Sequence, residues 1–183
     1  MEIIIGLAAV ALIAVFFISQ YNRLVTLNIT VDEAWAQIEV QLKRRADLIP
    51  NLVETVKGYA KHEQSTFDAV VTARAKATTA TTVADTAAAD GMLTQALRGL
   101  LAVAEAYPDL KASTNFLSLQ EELSTTENKV AFARQFYNDN VRSLNTAVKT
   151  IPSSFFAGFA KVSEREFYEV EDPQDRNVPN VKF

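Results

Sequence analysis

The sequence predicts an all-α protein in which a single N-terminal transmembrane helix leads into an antiparallel up-and-down bundle of three long helices and a short fourth. Two observations carry this prediction: an uncharged apolar run opens the chain, and apolar residues then recur at helical spacing, with no useful period-2 alternation before residue 162. Separate apolar stripes must pack together, and short connections make neighbouring helices antiparallel. The predicted domains are an anchor at residues 1–22, a bundle at 23–162 and an extended acidic tail at 163–183.

The N-terminal run Ile3–Asn22 is long enough to cross a membrane. Its 20 uncharged residues form about 30 Å of α-helix, the thickness of a hydrocarbon core. A cleaved signal peptide would need a basic start and a small-residue cleavage site, but the chain starts Met1-Glu2 and the apolar run ends in FFISQ at 16–20. A buried core helix would be amphipathic, whereas apolar residues occupy every face here. The prediction is an uncleaved signal anchor that contacts the lipid bilayer through residues 3–22.

The residues after the span predict its water boundary and its orientation. Tyr21 and Arg23 are an interfacial aromatic residue and a cation whose side chain reaches the headgroups. No Lys or Arg precedes the span, while Arg23 and the basic residues at 43–45 follow it. The positive-inside rule therefore predicts a single-pass protein of the inner (plasma) membrane with a cytoplasmic aqueous domain.

Composition argues against several classes of site. The net charge of −4 disfavours nucleic-acid binding, and the absence of cysteine excludes disulfides, cysteine zinc sites and thiol nucleophiles. His62-Glu63 lacks the second histidine of a zinc protease motif, since the chain has one histidine, and five scattered glycines form no phosphate-binding loop. We therefore expect no catalytic residue, no cofactor and no metal.

Heptad spacing places the first long helix. Apolar residues recur at sevens from Trp35 to Ala73, so one helix is predicted from the anchor through this region. Pro50 lies inside the pattern and is predicted to kink the helix rather than end it. The Thr- and Ala-rich stretch Ala75–Asp90 is predicted to be a solvent-exposed connection, with the next helix starting after Thr82.

The remaining helices are bounded by prolines. The second helix is predicted to end before Pro108, and the third to run to about Thr150 before Pro152. A short fourth helix at Ser154–Lys161 follows. Its three phenylalanines favour core packing, with an amphipathic patch on the membrane as the alternative. The residues predicted to lie in the core are Trp35, Tyr59, Tyr137, Phe155, Phe156 and Phe159.

The basic triplet Lys43-Arg44-Arg45 is the strongest candidate for a specific interaction. Arg45 takes a position on the apolar face, so it needs a carboxylate partner such as Glu122 or Glu127 from the third helix. In an upright helix the triplet lies about 30 Å beyond Arg23, which is several Debye lengths from the headgroups. It is therefore either a structural ion pair or a surface for a protein partner.

Four sequence blocks are typical of one protein family. They are VQLKRRADLIPNLV at 40–53, VKGY at 56–59, EAYPDLKA at 105–112 and LQEEL at 119–123. With these blocks, the chain resembles the LemA family over residues 20 to 150. Ile151-Pro152 departs from the Phe-Pro pair that family members more often have, which leaves the docking of the last helix open.

The resemblance implies a single span and an aqueous antiparallel four-helix bundle. No catalytic activity is established for family members, some relatives are linked with membrane-organelle formation, and family genes tend to neighbour genes for membrane-protein quality control. The expected function is thus a non-enzymatic bacterial scaffold or adaptor. It would work by coiled-coil-like self-assembly as a homo-oligomer or by binding a membrane-protein partner. The alternative is a ligand-sensing or transport-accessory module with a pocket between bundle helices, which is disfavoured because no convergent polar cluster is visible.

Overall fold

The structure, a computed structural model, describes residues 1–169. This part of the chain is helical and contains no strand, which confirms the predicted all-α fold with a long apolar N-terminal helix followed by a helical bundle. Residues 162–169 form neither helix nor strand, and the predicted tail from residue 170 onward lies outside the described residues. The helices are α1 (Glu2–Lys57), α2 (Gln64–Thr79), α3 (Val83–Glu105), α4 (Pro108–Lys111), α5 (Thr114–Lys149) and α6 (Ser154–Ala160).

The chain divides into two compact units that share α1 and α5. The first unit combines Met1–Gln37 with Ala133–Phe167. It contains the N-terminal part of α1, the C-terminal part of α5 and α6. The second unit combines Ile38–Phe132 with the segment that begins at Tyr168. It contains the rest of α1 and α5 together with α2, α3 and α4.

α1 continues through Pro50, as predicted, but ends at Lys57. The expectation of one helix reaching Ala73 is wrong, because residues 58–63 separate α1 from α2. The backbone N–H groups of Tyr59 and Ala60 both donate to the carbonyl of Val56, at 3.0 and 2.9 Å, in a tight turn. A glycine at position 58 favours this turn, since a Cβ there would lie only 3.3 Å from the Thr55 carbonyl oxygen. Tyr59 is consequently exposed, and the prediction that it lies in the core is wrong.

Most of the predicted connection Ala75–Asp90 is helical. α2 ends at Thr79 and α3 begins at Val83, directly after Thr82 as predicted. Thr82 caps α3, because its Oγ1 accepts a hydrogen bond from the backbone N–H of Asp85 at 3.0 Å. Alanine has the highest helix propensity and lets helices approach closely, and Ala87 and Ala89 are buried. The Thr- and Ala-rich composition therefore predicted a connection where α2 ends and a packed helix begins.

The core of the second unit joins α1, α2, α3 and the start of α5. α2 and α3 form a helical hairpin across a three-residue connection at 80–82. α4 adds Leu110 to the same cluster. These buried faces account for the heptad spacing read from the sequence. The largest fully buried side chains of this core are Ile49, Leu52, Val56, Phe67, Val70, Leu93, Leu100 and Leu110.

In the first unit α1 and the chain from α5 to α6 run antiparallel. The ring centroids of Trp35 and Tyr137 are 5.5 Å apart, while Phe17 of α1 meets Phe156 of α6 at 4.8 Å. The chain direction of α1 is therefore opposite to that of α5 and α6. The segment after α6 returns along this pair, with Arg165 forming an ion pair with Asp32. Tyr137 is in the core, as predicted.

α5 ends at Lys149 and α6 follows, close to the predicted bounds. The three phenylalanines of α6 differ in environment. Phe156 is buried against α1, so the core prediction is right for this residue. Phe155 and Phe159 are 69% and 79% exposed, so the prediction that they pack in the core is wrong.

We expect the stability of this unit to fall at alkaline pH because of Tyr137. Its hydroxyl donates to the backbone carbonyl of Glu166 at 2.9 Å. Burial, and secondarily the negative charge of Glu166, raises the pKa of this phenol above its usual value. The folded state therefore holds the proton more tightly, so the stabilisation is complete below about pH 10 and is lost as pH rises through the folded-state pKa.

Tyr137→Phe tests this prediction by urea denaturation at neutral pH and above pH 10. The wild-type protein should lose more stability than the variant between the two pH values, since only the wild type must ionise a buried phenol. Equal losses in the two proteins would show that Tyr137 does not carry the alkaline transition.

Candidate functional site

The most specific polar arrangement in the second unit surrounds Arg45. Its Nη1 donates to Asp90 Oδ1 at 2.6 Å, and its Nη2 donates to Thr94 Oγ1 at 3.0 Å. The side chains of Arg45 and Asp90 are 3% and 4% exposed, so the ion pair lies inside the bundle. We call the group formed by Arg45, Asp90, Thr94, Glu127 and Tyr168 the Arg45 cluster. It links α1 to α3 through a charge-assisted hydrogen bond.

The other members of the Arg45 cluster hold the Asp90 carboxylate and the Arg45 guanidinium. Thr94 Oγ1 donates to the Asp90 backbone carbonyl at 3.0 Å. This hydrogen bond holds the Thr94 hydroxyl where it accepts from Arg45 Nη2. Tyr168 donates its hydroxyl to Asp90 Oδ2 at 3.3 Å. Glu127 Oε1 lies 3.9 Å from Arg45 Nη2, but the Glu127 side chain is half-exposed. Asp90 is therefore the principal partner and Glu127 a secondary one.

The structure separates the other predicted residues of this site. Lys43 and Arg44 are exposed, and Lys43 Nζ lies 3.3 Å from Asp47 Oδ2 one turn along α1. Glu122 is also exposed, and its backbone carbonyl accepts a hydrogen bond from Thr126 Oγ1 at 2.8 Å. The structure therefore does not bring Glu122 to Arg45. Lys43 and Arg44 remain available at the surface of α1.

Sequence reasoning missed Asp90 because it assigned this residue to a connection. A signal was present in the heptad stripe of α3. When the spacing of Leu93, Leu97 and Leu100 is extended toward the N-terminus, it reaches Asp90 and then Thr86, and both are buried. An acid on an apolar stripe requires a cation, and Arg45 is a cation on an apolar stripe. Pairing the two would have found the site.

The Arg45 cluster is suited to holding helices in register. A guanidinium stays charged in proteins and offers donors but no acceptor, so it cannot act as a general base. In the described residues, no group of three or more His, Cys, Asp or Glu side chains is placed to hold a metal ion. The chemistry of the cluster is that of a buried ion pair, which fixes one relative position of α1 and α3.

The predicted membrane interface lies on α1. Residues 3–18 are exposed along the whole apolar run, as a lipid-facing helix requires. Tyr21 and Arg23 are exposed at its end, and the first fully buried residue of α1 is Leu24. Within residues 1–169, α1 is the one helix that is long and apolar enough to cross a membrane.

Comparisons of the sequence with known proteins identify relatives of this chain. The sequence model of the LemA family matches residues 34–183. Magnetosome protein MamQ of Magnetospirillum gryphiswaldense is 23% identical over an alignment that covers 97% of this chain and 75% of the relative. Protein LemA of Metamycoplasma hominis is 24% identical, with 88% of this chain and 78% of the relative covered. Neither name denotes an enzyme.

Proposed function

The chain belongs to the LemA family, and from that premise we propose that it is a non-enzymatic scaffold or adaptor anchored in the inner (plasma) membrane by a single span. In this proposal the aqueous domain is cytoplasmic, as the basic residues after the span favour. Its helix faces bind a second copy of the chain or a membrane protein. The MamQ relatives are named magnetosome proteins, and this name is consistent with a membrane-associated role.

The continuity of α1 carries this proposal. One helix, Glu2–Lys57, includes both the exposed apolar run and residues buried in the bundle, beginning with Leu24. No glycine or proline lies between Gly6 and Pro50 to act as a hinge. A folded domain joined to its anchor through one continuous helix suits a protein that positions others at a membrane.

Exposed residues of the second unit supply a contact surface. Phe132 on α5 is 74% exposed. Burial of a phenylalanine side chain is favourable, so an exposed one is a candidate contact with a partner. Lys43 and Arg44 expose positive charge on α1. An exposed aromatic residue and an exposed arginine are typical of residues that bind protein partners.

Single-cysteine crosslinking in intact membranes tests the proposal, since the chain has no cysteine of its own. Phe132→Cys and Lys43→Cys report on the proposed contact surface, and Gln95→Cys, also exposed, is the matched control on α3. We expect a maleimide–benzophenone crosslinker, which couples to the introduced thiol and photoreacts with nearby C–H bonds of any partner, to give covalent products for Phe132→Cys and Lys43→Cys in larger yield than for Gln95→Cys.

The products distinguish the two forms of the proposal. Dimers and larger ladders of the chain support a self-assembling scaffold, whereas one dominant product with another membrane protein supports an adaptor. Monomer alone at both test positions, at natural expression level, would overturn the proposal. A Gly-Ser insertion after Arg23 then tests the role of continuity, and an unchanged crosslinking pattern would show that α1 acts only as an anchor.

A further inference from the structure

α6 places an aromatic side chain against the membrane-spanning part of α1. The ring centroid of Phe156 lies 4.8 Å from that of Phe17 and 6.2 Å from that of Phe16, with interplanar angles of 90° and 74°. These edge-to-face contacts are a favoured aromatic geometry. Phe16 and Phe17 belong to the apolar run that is long enough to span a bilayer. α6 therefore lies beside residues at membrane depth.

The contact sets the depth of α6. Phe17 precedes Arg23 by six residues, which is about 9 Å along the helix axis. With Arg23 at the water boundary, Phe156 lies about 9 Å below that boundary. Interfacial helices bury their apolar face about 5–10 Å into the region between headgroups and acyl chains. α6 thus lies at the depth of an interfacial helix.

The exposed side of α6 is apolar. Phe155 and Phe159 are four residues apart, so they lie on one face of the helix, and they are 69% and 79% exposed. Ile151 in the preceding turn is 76% exposed. Lys161 follows the helix directly and is exposed, where an ammonium group can reach lipid headgroups. Large apolar side chains followed by a cation are typical of a membrane-surface segment.

Polar contacts hold α6 at both ends. Before the helix, Ser153 is buried and its Oγ donates to the carbonyls of Ala147 and Thr150, at 2.6 and 3.0 Å. After the helix, Glu164 forms an ion pair with Lys149 at 2.7 Å. The position of α6 beside the anchor is therefore built into the first unit.

We propose that Ile151, Phe155 and Phe159 insert into the lipid leaflet on the side of the aqueous domain, so that α6 is a second membrane contact beside the transmembrane span. Lipid is the occupant because α6 packs through Phe156 on Phe16 and Phe17 of the apolar run, so its exposed phenylalanines lie beside the proposed span. The inference rests on the proposed membrane span but not on the scaffold role.

Site-directed spin labelling of the full chain tests this inference. The chain has no cysteine, so Phe159→Cys gives one labelled site on α6. Leu12→Cys labels the anchor, and Val71→Cys, at an exposed apolar residue of the second unit outside the proposed contact surface, is the matched control. The proteins are reconstituted in vesicles of phosphatidylcholine and phosphatidylglycerol, and collisions of each label with oxygen and with a water-soluble nickel complex are measured. Phe155→Cys repeats the measurement one turn away.

We expect the label at position 159 to collide several-fold less with nickel, relative to oxygen, than the label at 71, and to approach the behaviour of the label at 12. Nickel collisions at 159 equal to those at 71, with the label at 12 protected, would overturn the α6 contact and leave the span intact. Loss of protection at 12 would overturn the span itself. Strong spin–spin broadening at 159 in dilute vesicles would show that a second copy of the chain, rather than lipid, covers this face.

Discussion

Replacing Asp90 by alanine is expected to lower the free energy of unfolding by about 3–5 kcal/mol, because the Arg45 guanidinium would be left buried without its principal counter-ion. The pair is 2.6 Å apart and almost fully shielded from water, so solvent screening cannot compensate the lost attraction. Glu127 lies 3.9 Å from Arg45 and is half-exposed, and it cannot fully replace Asp90. Urea denaturation of the full chain in mild detergent, followed by circular dichroism at 222 nm, measures the effect.

Two controls separate this effect from a general loss of packing. Removing both charges, with Arg45→Leu and Asp90→Leu together, should cost much less than Asp90→Ala alone, since no charge is then left unpaired. Breaking the exposed pair of Lys43 and Asp47 with Lys43→Ala should change stability by at most about 1 kcal/mol. A double variant as unstable as Asp90→Ala would show that the ion pair itself is not what the bundle requires.

Phe67→Ala is expected to destabilise the protein by about 3–5 kcal/mol through loss of the core of α2. Phe67 is 1% exposed and is among the largest fully buried side chains of the described chain. Its ring also lies 5.7 Å from Lys57 Nζ, so truncation removes a cation–π contact as well as apolar burial. The same denaturation experiment measures the loss.

The matched control for Phe67 is Val71, one turn along α2. Val71 is exposed, so Val71→Ala should change stability by no more than about 0.5 kcal/mol. A small loss for Phe67→Ala, or similar losses for both variants, would contradict the assignment of Phe67 to the core and would mean that α2 is only loosely packed.

Much of the fold was predictable because burial in this protein repeats every seven residues. The spacing from Phe116 to Leu144 identified α5 along nearly its full length, and prolines bounded the helices around it. The first helix was predicted too long because heptad phase was continuous across Gly58. A pattern of side chains cannot show that the backbone between them turns and that a new helix resumes the same phase.

The Arg45 cluster was half predictable. Arg45 itself was found, since a cation on an apolar stripe must have a partner. Its partner was sought in the acidic stretch of α5 that contains Glu122 and Glu127. The partner lies instead in the alanine-rich start of α3. A stretch rich in small residues has the composition of a loop. In a helix, however, small residues allow the close approach that brings Asp90 to Arg45.

Within the first unit, the unbroken α1 also sets the angular phase between the apolar run and the helices that pack on it. Each residue inserted after Arg23 would turn the anchor by about 100° about the helix axis and lengthen it by about 1.5 Å. One added residue would therefore swing Phe16 and Phe17 away from Phe156, whereas seven added residues would nearly restore the original direction. For the proposed span, the side of the helix that faces Phe156 is thus encoded by the number of residues between Phe17 and Trp35 as well as by their chemistry.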